Sequence, residues 1–336
     1  MLIVFQSIGH RGHAFLKPAH LRKARWSTGV FERSRQLSTG TRAAMSAEEP
    51  KKCVCNRWAF SLDKAFKDEH LEYFYRRAIQ AVDEEDYKKI VAYRHRDDSL
   101  ACLAGRLFLR RAVNEFTGAE WKDIKIERTE RGKPYVTNPP DFHFGLNASH
   151  QGDYTVFATS CSDSVGVDVM RLDMCRGSKT ADEYINSMAK SASADELKNM
   201  RTQPTDQMKM TVFYRYWCLK EALLKATGQG IVNDLSRYDF RINAQDRYKQ
   251  GAFITSTYVN EDGRRLPQWV FEESFVDATH KKMPAFCKYS QDPEHKIFFR
   301  QVDFEFLLKD STPLNILDMD GSNDWNNFKE KPRKNF

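Results

Sequence analysis

Residues 213–230 read FYRYWCLKEALLKATGQG, and this stretch decides how the rest of the chain can fold. Two glycines, Gly228 and Gly230, stand where a helix of this length needs a residue that accepts a left-handed backbone. The pattern predicts a half-buried helix that ends at these glycines. Large apolar side chains recur along it at helical spacing; they are Phe213, Tyr216, Trp217, Leu223 and Leu224.

Glu221 and Lys225 lie four residues apart on this predicted helix, one turn beyond Trp217. Residues at this spacing share a helix face, so a carboxylate and an ammonium group stand beside an aromatic side chain. A surface ion pair is the usual explanation of such a pair. The two residues indicate a functional site only if other polar groups converge on them.

The composition is that of a globular chain without a nucleic-acid-binding or membrane-spanning part. Of its 336 residues, 41% are hydrophobic and 12% aromatic, which is ample for a core. Residues 1–44 hold eight of the 53 basic residues and one of the 46 acidic ones, which leaves 45 of each sign in residues 45–336. The net charge of +7 therefore lies in the leader, and the remainder has no overall positive field to attract nucleic acid. Because no run of about eighteen apolar residues occurs, we also expect no membrane partner.

The leader, residues 1–52, is rich in Arg and Ser, and its first 44 residues contain one acid. This composition is typical of a mitochondrial transit peptide, but a disordered extension or a second start at Met45 explains it equally well. The seven cysteines are dispersed and form no CxxC pair, which argues against zinc and favours a reducing compartment. We therefore expect a cytoplasmic protein, or a mitochondrial one if the leader is a transit peptide.

Hydrophobic periodicity predicts helices and short strands along the first half of the chain. A helix starts after Asp83, and a second covers residues 99–117, with Ser99 as its cap and Gly118 as its stop. The arginines of the second helix are expected to face solvent; they are Arg106, Arg110 and Arg111. Alternating residues predict strands; these cover 54–61, 124–128, 135–136, 142–150, 154–160 and 165–170.

A basic turn between two predicted strands is the first candidate for a binding site. Arg128, Arg131 and Lys133 crowd a turn punctuated by glycine and proline. Clustered cations beside backbone amides are how proteins bind phosphates, but basic hairpin turns are also common. His150, at the end of the next predicted strand, could likewise bind an anion or be a structural residue.

Asp168 stands in the middle of the apolar strand VGVDVM, residues 165–170. Alternation puts its side chain on the same face as Gly166, opposite the valines, where the missing glycine side chain leaves room. A carboxylate in such a strand is costly unless it is paired or bound to a metal. The strand alone leaves a metal ion and a cationic side chain equally open as its partner.

Together these stretches resemble a known family. GVD at 166–168, followed about fifty residues later by WCLKEALLK at 217–225, is similar to the paired GxD and WxxKEAxxK signature of the 4′-phosphopantetheinyl transferases. NASHQGD at 147–153 and RGKP at 131–134 also resemble stretches of this superfamily. The chain is most similar to its eukaryotic, monomeric, Sfp-like branch, from about Arg57 to Arg300.

The resemblance implies an α+β fold, a pseudo-twofold pair of similar subdomains with the active site in the cleft between them. Each subdomain would be a long helix packed on a small antiparallel sheet. The halves would be residues 53–148 and 149–308, the second with the metal site, followed by a disordered tail at 309–336. The sequence agrees, because it predicts a helical segment capped by Ser193, a second long helix and three strands; these cover 187–207, 206–227, 238–242, 251–255 and 269–271.

The resemblance also implies roles for individual residues. Asp168 and Glu221 would coordinate Mg²⁺, and Glu221 and Lys225 would be catalytic, with Glu221 as the base, directly or through a bound water. This set suits phosphoryl transfer, which needs cations on the phosphate oxygens and a base near the incoming hydroxyl. Coenzyme A would be the co-substrate; it would be bound by Lys89, Arg128, Arg131, Lys133, Asn147, Ser149, His150, Lys220 and Lys225.

Met170 departs from the pattern of many relatives, which have an acid two residues after the aspartate of GxD. One magnesium ligand must then come from elsewhere in the chain or from solvent. We expect this ligand to be Gln151 or a water molecule.

The implied activity is transfer of the 4′-phosphopantetheine arm of coenzyme A to a serine of an apo carrier protein, the holo-acyl-carrier-protein synthase reaction. It would depend on magnesium and release adenosine 3′,5′-bisphosphate. The partner would be an acyl carrier protein, or a carrier domain of a fatty-acid synthase or an aminoadipate-reductase-like protein, docked on exposed Arg110 and Arg111. A magnesium-dependent phosphohydrolase of coenzyme A and a catalytically silent coenzyme A-binding protein remain alternatives.

Overall fold

The computed structural model describes residues 2–8, 54–140, 142, 144–162, 164–172, 178–230, 234–243, 245–246, 254–277, 282–284, 299–315 and 320–334. All of them belong to one compact unit, which comprises residues 1–9 and 54–336. The predicted transit peptide falls mostly outside the described residues and stays a prediction. The predicted strand at 251–255 is described only from Ile254 onward.

Helices and short strands give an α+β fold, as predicted. Helices α1 to α9 cover Leu62–Lys67, Leu71–Gln80, Glu84–Val91, Arg96–Thr117, Ala181–Ser187, Ala194–Arg201, Asp206–Thr227, Phe304–Leu307 and Ser322–Glu330. Strands β1 to β13 cover Leu2–Ile8, Arg57–Ser61, Lys125–Arg128, Pro134–Asn138, Gly145–Gln151, Tyr154–Ser160, Val165–Met170, Tyr238–Arg241, Tyr258–Glu261, Arg264–Arg265, Trp269–Asp277, Lys282–Pro284 and Arg300–Val302. Within these described parts, no helix has the length and apolar character needed to cross a bilayer.

Two four-stranded sheets carry the two long helices. The first has the strand order β13-β2-β6-β5 and supports α4, and the second has the order β12-β11-β1-β7 and supports α7. Neighbouring strands are antiparallel in both sheets, except that β13 runs parallel to β2. A three-stranded sheet, β10-β9-β8, and the β3–β4 hairpin complete the fold.

Each long helix is buried in its own hydrophobic core. In the first core, Trp58 of β2 stacks on Phe157 of β6 with ring centroids 5.1 Å apart, and both contact the cluster around Phe108 of α4. In the second, the valines of β7 pack with Leu219 and Leu223 of α7. Full burial of a side chain of this size contributes about 1.5–3 kcal/mol. The two helices are therefore held mainly by packing on their own sheets.

The first long helix begins earlier than the sequence predicts. We expected Ser99 to be its cap, but α4 starts at Arg96 after an extended His95. Ser99 is buried inside the helix, and its hydroxyl donates to the carbonyl of Ile90 at 3.0 Å. The predicted stop is confirmed, because Gly118 ends the helix in the left-handed conformation with φ of 73°.

The first residues of the leader form a strand rather than a disordered segment. Strand β1 pairs antiparallel with β7 on one side and β11 on the other, and Val4 lies opposite Asp168 in the register. A strand in this place satisfies backbone groups on both neighbours that an edge would expose. The prediction of disorder is therefore wrong for residues 2–8.

Within the predicted disordered tail, residues 309–315 and 320–334 are ordered as well. Phe328 of α9 is fully buried, and its ring stacks on Tyr75 with centroids 4.2 Å apart. The side-chain amide of Asn315 donates to the carbonyls of Ile79 at 2.9 Å and Val82 at 2.8 Å. The overall polar composition of residues 309–336 led to the prediction of disorder. A few of these residues nevertheless make specific contacts with the first half of the chain, and such contacts cannot be read from composition.

The division into halves also differs from the expected boundary at residue 148. Strand β6 lies beyond that boundary but pairs with β2, and β13 and α8 return from the end of the chain to the first sheet and its core. Sequence order misplaced these segments because the partner of a strand need not be its neighbour in the chain.

Strand β7 and helix α7 approach each other most closely at Gly166. A Cβ atom at this position would lie 2.0 Å from the carbonyl oxygen of Ala222 and 2.6 Å from the backbone nitrogen of Ala226. These contacts are with helix backbone, which cannot move aside as a flexible side chain can. The strand therefore needs glycine here for α7 to lie on it.

We expect Gly166→Ala to displace α7 and to lower the free energy of unfolding by about 1–3 kcal/mol or more. The matched control is Gly105→Ala in α4, where the added methyl would meet Thr155 at an ordinary 3.9 Å. That change should leave stability unchanged or raise it, because alanine favours helix by up to ~1 kcal/mol. Urea denaturation measures both, and equal stability of the two variants would contradict the packing argument.

Candidate active site

A cleft of about 320 Å³ lies where α4, the β3–β4 turn, β5 and the C-terminal half of α7 meet. Tertiary structure thus brings together the predicted basic turn, the polar end of β5 and the Glu221–Lys225 pair. The residues that line the cleft are Tyr93, Ala101, Cys102, Gly105, Arg106, Leu109, Arg128, residues 131–134, residues 147–150, Thr155, Glu221, Leu224, Lys225, Gly228 and Gly230.

The cleft is strongly positive. Among the described residues that line it, Glu221 is the only acid. A concave site with this excess of cations attracts a ligand that carries several negative charges. Its basic residues are Arg106, Arg128, Arg131, Lys133 and Lys225.

The basic turn is fastened to the end of α7. The guanidinium of Arg131 donates to the carbonyl of Gln229 at 2.6 Å, and Nζ of Lys133 donates to the carbonyl of Ala226 at 2.7 Å. Gly228 and Gly230 have φ of 68° and 64°, and this left-handed backbone brings the end of the helix against the turn. The predicted stop at these glycines is confirmed, and it also closes one wall of the cleft.

Alternate side chains of β5 connect the two four-stranded sheets. Oδ1 of Asn147 accepts from the backbone N–H of Val167 at 2.9 Å, and the hydroxyl of Ser149 donates to Oδ1 of Asp168 at 2.8 Å. Both β5 side chains are buried. Because β5 belongs to the first sheet and β7 to the second, these bonds fix the position of Asp168 relative to the cleft.

Asp168 is buried and paired. Its Oδ1 lies 2.5 Å from Nζ of Lys225 on α7, which also donates to the hydroxyl of Ser149 at 2.7 Å. The cationic partner left open by the sequence is therefore Lys225. Both bonds reach the same carboxylate oxygen, so Oδ2 accepts no bond within the described residues.

Glu221 lies one helical turn before Lys225 and faces the cleft. Burial and the negative charge of Asp168 raise the pKa of the Glu221 carboxyl. Within the described residues it accepts no hydrogen bond. Two neighbouring carboxylates with unused oxygens suit a hard divalent cation, which would offset their repulsion. Asp168 and Glu221 thus fit a magnesium site as a pair, since no cluster of three or more acidic, histidine or cysteine side chains that could hold a metal ion occurs in the described parts of the chain.

His150 lies at the end of β5 and reaches solvent in the cleft. Although its ring is accessible, the protein atoms around it and the positive charge of Lys225 lower its pKa. Asp98 and Lys334 also act on this pKa, in opposite directions. The imidazole is therefore less readily protonated than that of an ordinary surface histidine.

The structure corrects the prediction for Lys220. Its ammonium group is 2% exposed and lies 2.9 Å from a carboxylate oxygen of Glu196, which is fully buried. It also donates to the carbonyls of Leu235 and Tyr238. The side chain points into the second core, away from the cleft. Lys220 and Lys225 are five residues apart, and residues at this spacing lie on different faces of a helix.

Lys89 and Gln151 also differ from expectation. Lys89 is half exposed, forms an ion pair with Glu85 at 2.5 Å, and does not line the cleft. The amide of Gln151 is occupied, since its nitrogen contacts the sulfur of Met170 and its oxygen accepts from the backbone of Arg171. Gln151 lies on the same face of β5 as Asn147. Like Asn147, it connects β5 to β7 and does not act as a metal ligand.

Arg106 is a cleft residue that sequence analysis missed. It was expected to face solvent, but its side chain is 16% exposed and lies 3.0 Å from the carboxylate of Asp86. Helical spacing from Cys102 and Leu109, which share its wall of the cleft, was the signal that could have identified it.

The neighbouring arginines are buried too, contrary to expectation. Arg110 donates to the carbonyls of Trp121 and Ile124, and Arg111 pairs with Glu115 at 3.1 Å. Arg110 holds residues 121–124 against α4, Arg111 binds within the helix, and neither offers an exposed charge to a partner.

Comparisons with known proteins agree with this geometry. Residues 70–162 match the family model described as 4′-phosphopantetheinyl transferase, N-terminal, and residues 164–279 match that of the 4′-phosphopantetheinyl transferase superfamily. The L-aminoadipate-semialdehyde dehydrogenase-phosphopantetheinyl transferase of Mus musculus is 32% identical over 268 residues, 78% of this chain and 84% of the relative. The protein of the same name from Xenopus laevis is 29% identical over 85% of this chain and 96% of its own length. A 4′-phosphopantetheinyl transferase of Bacillus subtilis is 28% identical over 49% of this chain and 69% of its own length.

We expect Lys220→Met to lower the free energy of unfolding by about 3–5 kcal/mol, because it leaves the Glu196 carboxylate buried without its cation. Lys198→Met on the exposed face of α6 is the matched control and should change stability by no more than ~0.5 kcal/mol. Urea denaturation measures both. A Lys220→Met protein of unchanged stability with weakened coenzyme A binding would restore the original assignment of Lys220 to the phosphates.

Proposed function

The chain belongs to the 4′-phosphopantetheinyl transferase superfamily, and we propose that it transfers the 4′-phosphopantetheine arm of coenzyme A to a serine of an apo carrier protein. The observation that carries the proposal is the cleft in which five basic side chains meet Glu221, with the neighbouring carboxylate of Asp168 paired to the cleft residue Lys225. The cations suit the pyrophosphate and 3′-phosphate of coenzyme A, and the carboxylates suit the reacting end.

Three basic residues would hold the phosphates. Arg131 and Lys133 already donate to carbonyls at the end of α7, so their side chains are ordered at the mouth of the cleft. Arg128 lies on the same turn, where its guanidinium donates to the carbonyl of Gly132 at 3.3 Å. Ordered donors lose little conformational freedom on binding, which favours affinity.

Asp168 and Glu221 would hold Mg²⁺, which would neutralise charge on the pyrophosphate during transfer. Lys225 and Ser149 keep the Asp168 carboxylate in place through their bonds to its Oδ1. Magnesium dependence is part of the proposal, since the two carboxylates fit the ion and water would supply the remaining ligands.

Glu221 is our candidate for the base. Its carboxylate faces the cleft beside Asp168, and it would take the proton directly or through a bound water. The serine oxygen of the carrier would attack the phosphorus that bears the pantetheine arm and give its proton to Glu221. The bond between that phosphorus and the bridging oxygen would break, releasing adenosine 3′,5′-bisphosphate.

The two long helices support a pseudo-twofold arrangement of the fold. Helices α4 and α7 each have 22 residues, each ends in a left-handed glycine, and each packs on its own four-stranded sheet. The cleft lies between these two units, so both halves would contribute to the coenzyme site.

The partner is a carrier protein. Relatives from Mus musculus and Homo sapiens are named as phosphopantetheinyl transferases of L-aminoadipate-semialdehyde dehydrogenase. We propose a carrier domain of such an enzyme as one substrate, and an acyl carrier protein or the carrier domain of a fatty-acid synthase as others. Arg110 and Arg111 are not part of the docking surface, since both are buried.

We expect an apo acyl carrier protein to gain the mass of one phosphopantetheine group when incubated with this enzyme, coenzyme A and magnesium. Glu221→Gln should slow the gain by about 100-fold or more, because it removes a base and a metal ligand. Glu305→Gln, at an exposed position of α8, is the matched control and should react like the unchanged protein. Intact-mass spectrometry measures all three, and release of adenosine 3′,5′-bisphosphate without a carrier would favour a hydrolase instead.

We expect Arg131→Gln to weaken coenzyme A binding by about tenfold to a hundredfold, since a hydrogen bond to a charged group contributes about 1.5–3 kcal/mol. Arg77→Gln removes the same charge from an exposed position of α2, outside the cleft, and should leave the affinity unchanged. Titration calorimetry measures both dissociation constants. Equal affinities in the two variants would remove the turn from the coenzyme site.

A further inference from the structure

The C-terminal segment Lys331-Pro332-Arg333-Lys334 lies across the start of α4, beside the cleft. Nζ of Lys331 donates to the carbonyls of Val91 at 2.6 Å and Tyr93 at 2.5 Å, and Tyr93 lines the cleft. The backbone N–H of Arg96 donates to the carbonyl of Pro332 at 3.2 Å. The segment is therefore bonded to the backbone on both sides of His95.

Two acids in the first turn of α4 take their partners from this segment. Asp97 is 2% exposed, and its two oxygens accept from Nε of Arg333 and from the backbone N–H of Lys334, both at 2.9 Å. Nζ of Lys334 lies 2.5 Å from Oδ1 of Asp98. Burying a carboxylate without such donors costs free energy, so Asp97 needs Arg333 and Lys334 in this position.

Asp98 lies on α4 one helical turn before Ala101 and Cys102, which line the cleft. His95 also lies near Asp98, with its Nδ1 3.9 Å from the carboxylate. Both Asp98 and Lys334 act on the pKa of His150, which lines the cleft, and Asp98 acts on that of Tyr93. Without Lys334, the negative charge of Asp98 would face a site that attracts a polyanion.

We propose that Lys334 is a positioning residue for coenzyme A binding. It cancels the charge of Asp98 beside the cleft, while Lys331 and Arg333 hold residues 331–334 on α4. This inference rests on the proposed function, because coenzyme A is its ligand. It makes residues 331–334 a support of the coenzyme site. Lys334 acts through Asp98 rather than by touching the ligand.

The test compares single and double variants of the full-length protein in which one or both charges of the Asp98–Lys334 pair are removed. At low ionic strength Lys334→Gln should raise the dissociation constant and the KM of coenzyme A by about five- to tenfold, the size expected of one charge at the edge of a site. The kcat should not change. Lys329→Gln, which removes the same charge from the exposed end of α9, should have no effect.

The double variant Asp98→Asn/Lys334→Gln separates charge from structure. It should bind coenzyme A as the unchanged protein does, because both charges of the pair are absent, and 0.5 M salt should reduce the effect of Lys334→Gln alone. An unchanged dissociation constant in Lys334→Gln, or a loss that Asp98→Asn does not reverse, would overturn the proposal. Melting temperatures of all variants identify a loss caused by unfolding, which would also count against it.

A second probe separates this inference from the proposed function. Adenosine 3′,5′-bisphosphate carries the phosphates but no pantetheine arm. If the unchanged protein transfers nothing to carriers but binds this probe in a Lys334-dependent way, the proposed function fails and the role of Lys334 stands. If the Lys334→Gln and Lys329→Gln variants both transfer phosphopantetheine at the normal rate at subsaturating coenzyme A, the role of Lys334 fails and the proposed function stands.

Discussion

The close contact between α7 and β7 is the constraint on which the rest of the structure depends. It exists because Gly166 has no side chain, so the backbone of the helix at Ala222 and Ala226 can lie directly on the strand. The contact places Asp168, two residues along the strand, within reach of Lys225, one turn along the helix from Glu221. A larger residue at 166 would separate the strand from the helix, and the carboxylates and the lysine would no longer meet. The absence of a side chain at Gly166 therefore determines both the packing of α7 and the geometry of the site.

Buried ion pairs fix the orientation of α7 against β11 of its sheet and against α6. Arg215 binds Glu273 through two bonds, at 2.6 and 2.8 Å, and Lys220 binds Glu196 at 2.9 Å. Such pairs add little net stability compared with apolar packing, because removing two charges from water offsets most of their attraction. Each pair is satisfied in only one orientation of the helix, however. They set the rotation of α7 about its axis, and that rotation turns Glu221 toward the cleft.

The cleft is assembled from segments that are far apart in the chain. The end of α7 holds the basic turn through backbone carbonyls, and β5 reaches from the first sheet to the second through Asn147 and Ser149. Residues 333 and 334 in turn bind Asp97 at the start of α4. Because every wall depends on a contact with another wall, the positive charge of the site is held in place rather than spread over mobile side chains. A ligand with several phosphates meets donors that are already ordered.

The sequence by itself determined the local elements and the family. Periodicity and glycine stops located both long helices, and alternation located β6 and β7 at their observed bounds, because these signals depend on neighbours in the chain. Only the tertiary structure decided which charges serve the cleft. Lys220 and Lys225 read alike in the sequence, yet one is buried against Glu196 and the other lines the cleft. The same holds for the tail, which looked disordered by composition but is anchored by Phe328. The partner of a charged or aromatic side chain is set by residues far away in the chain, and no local pattern contains that information.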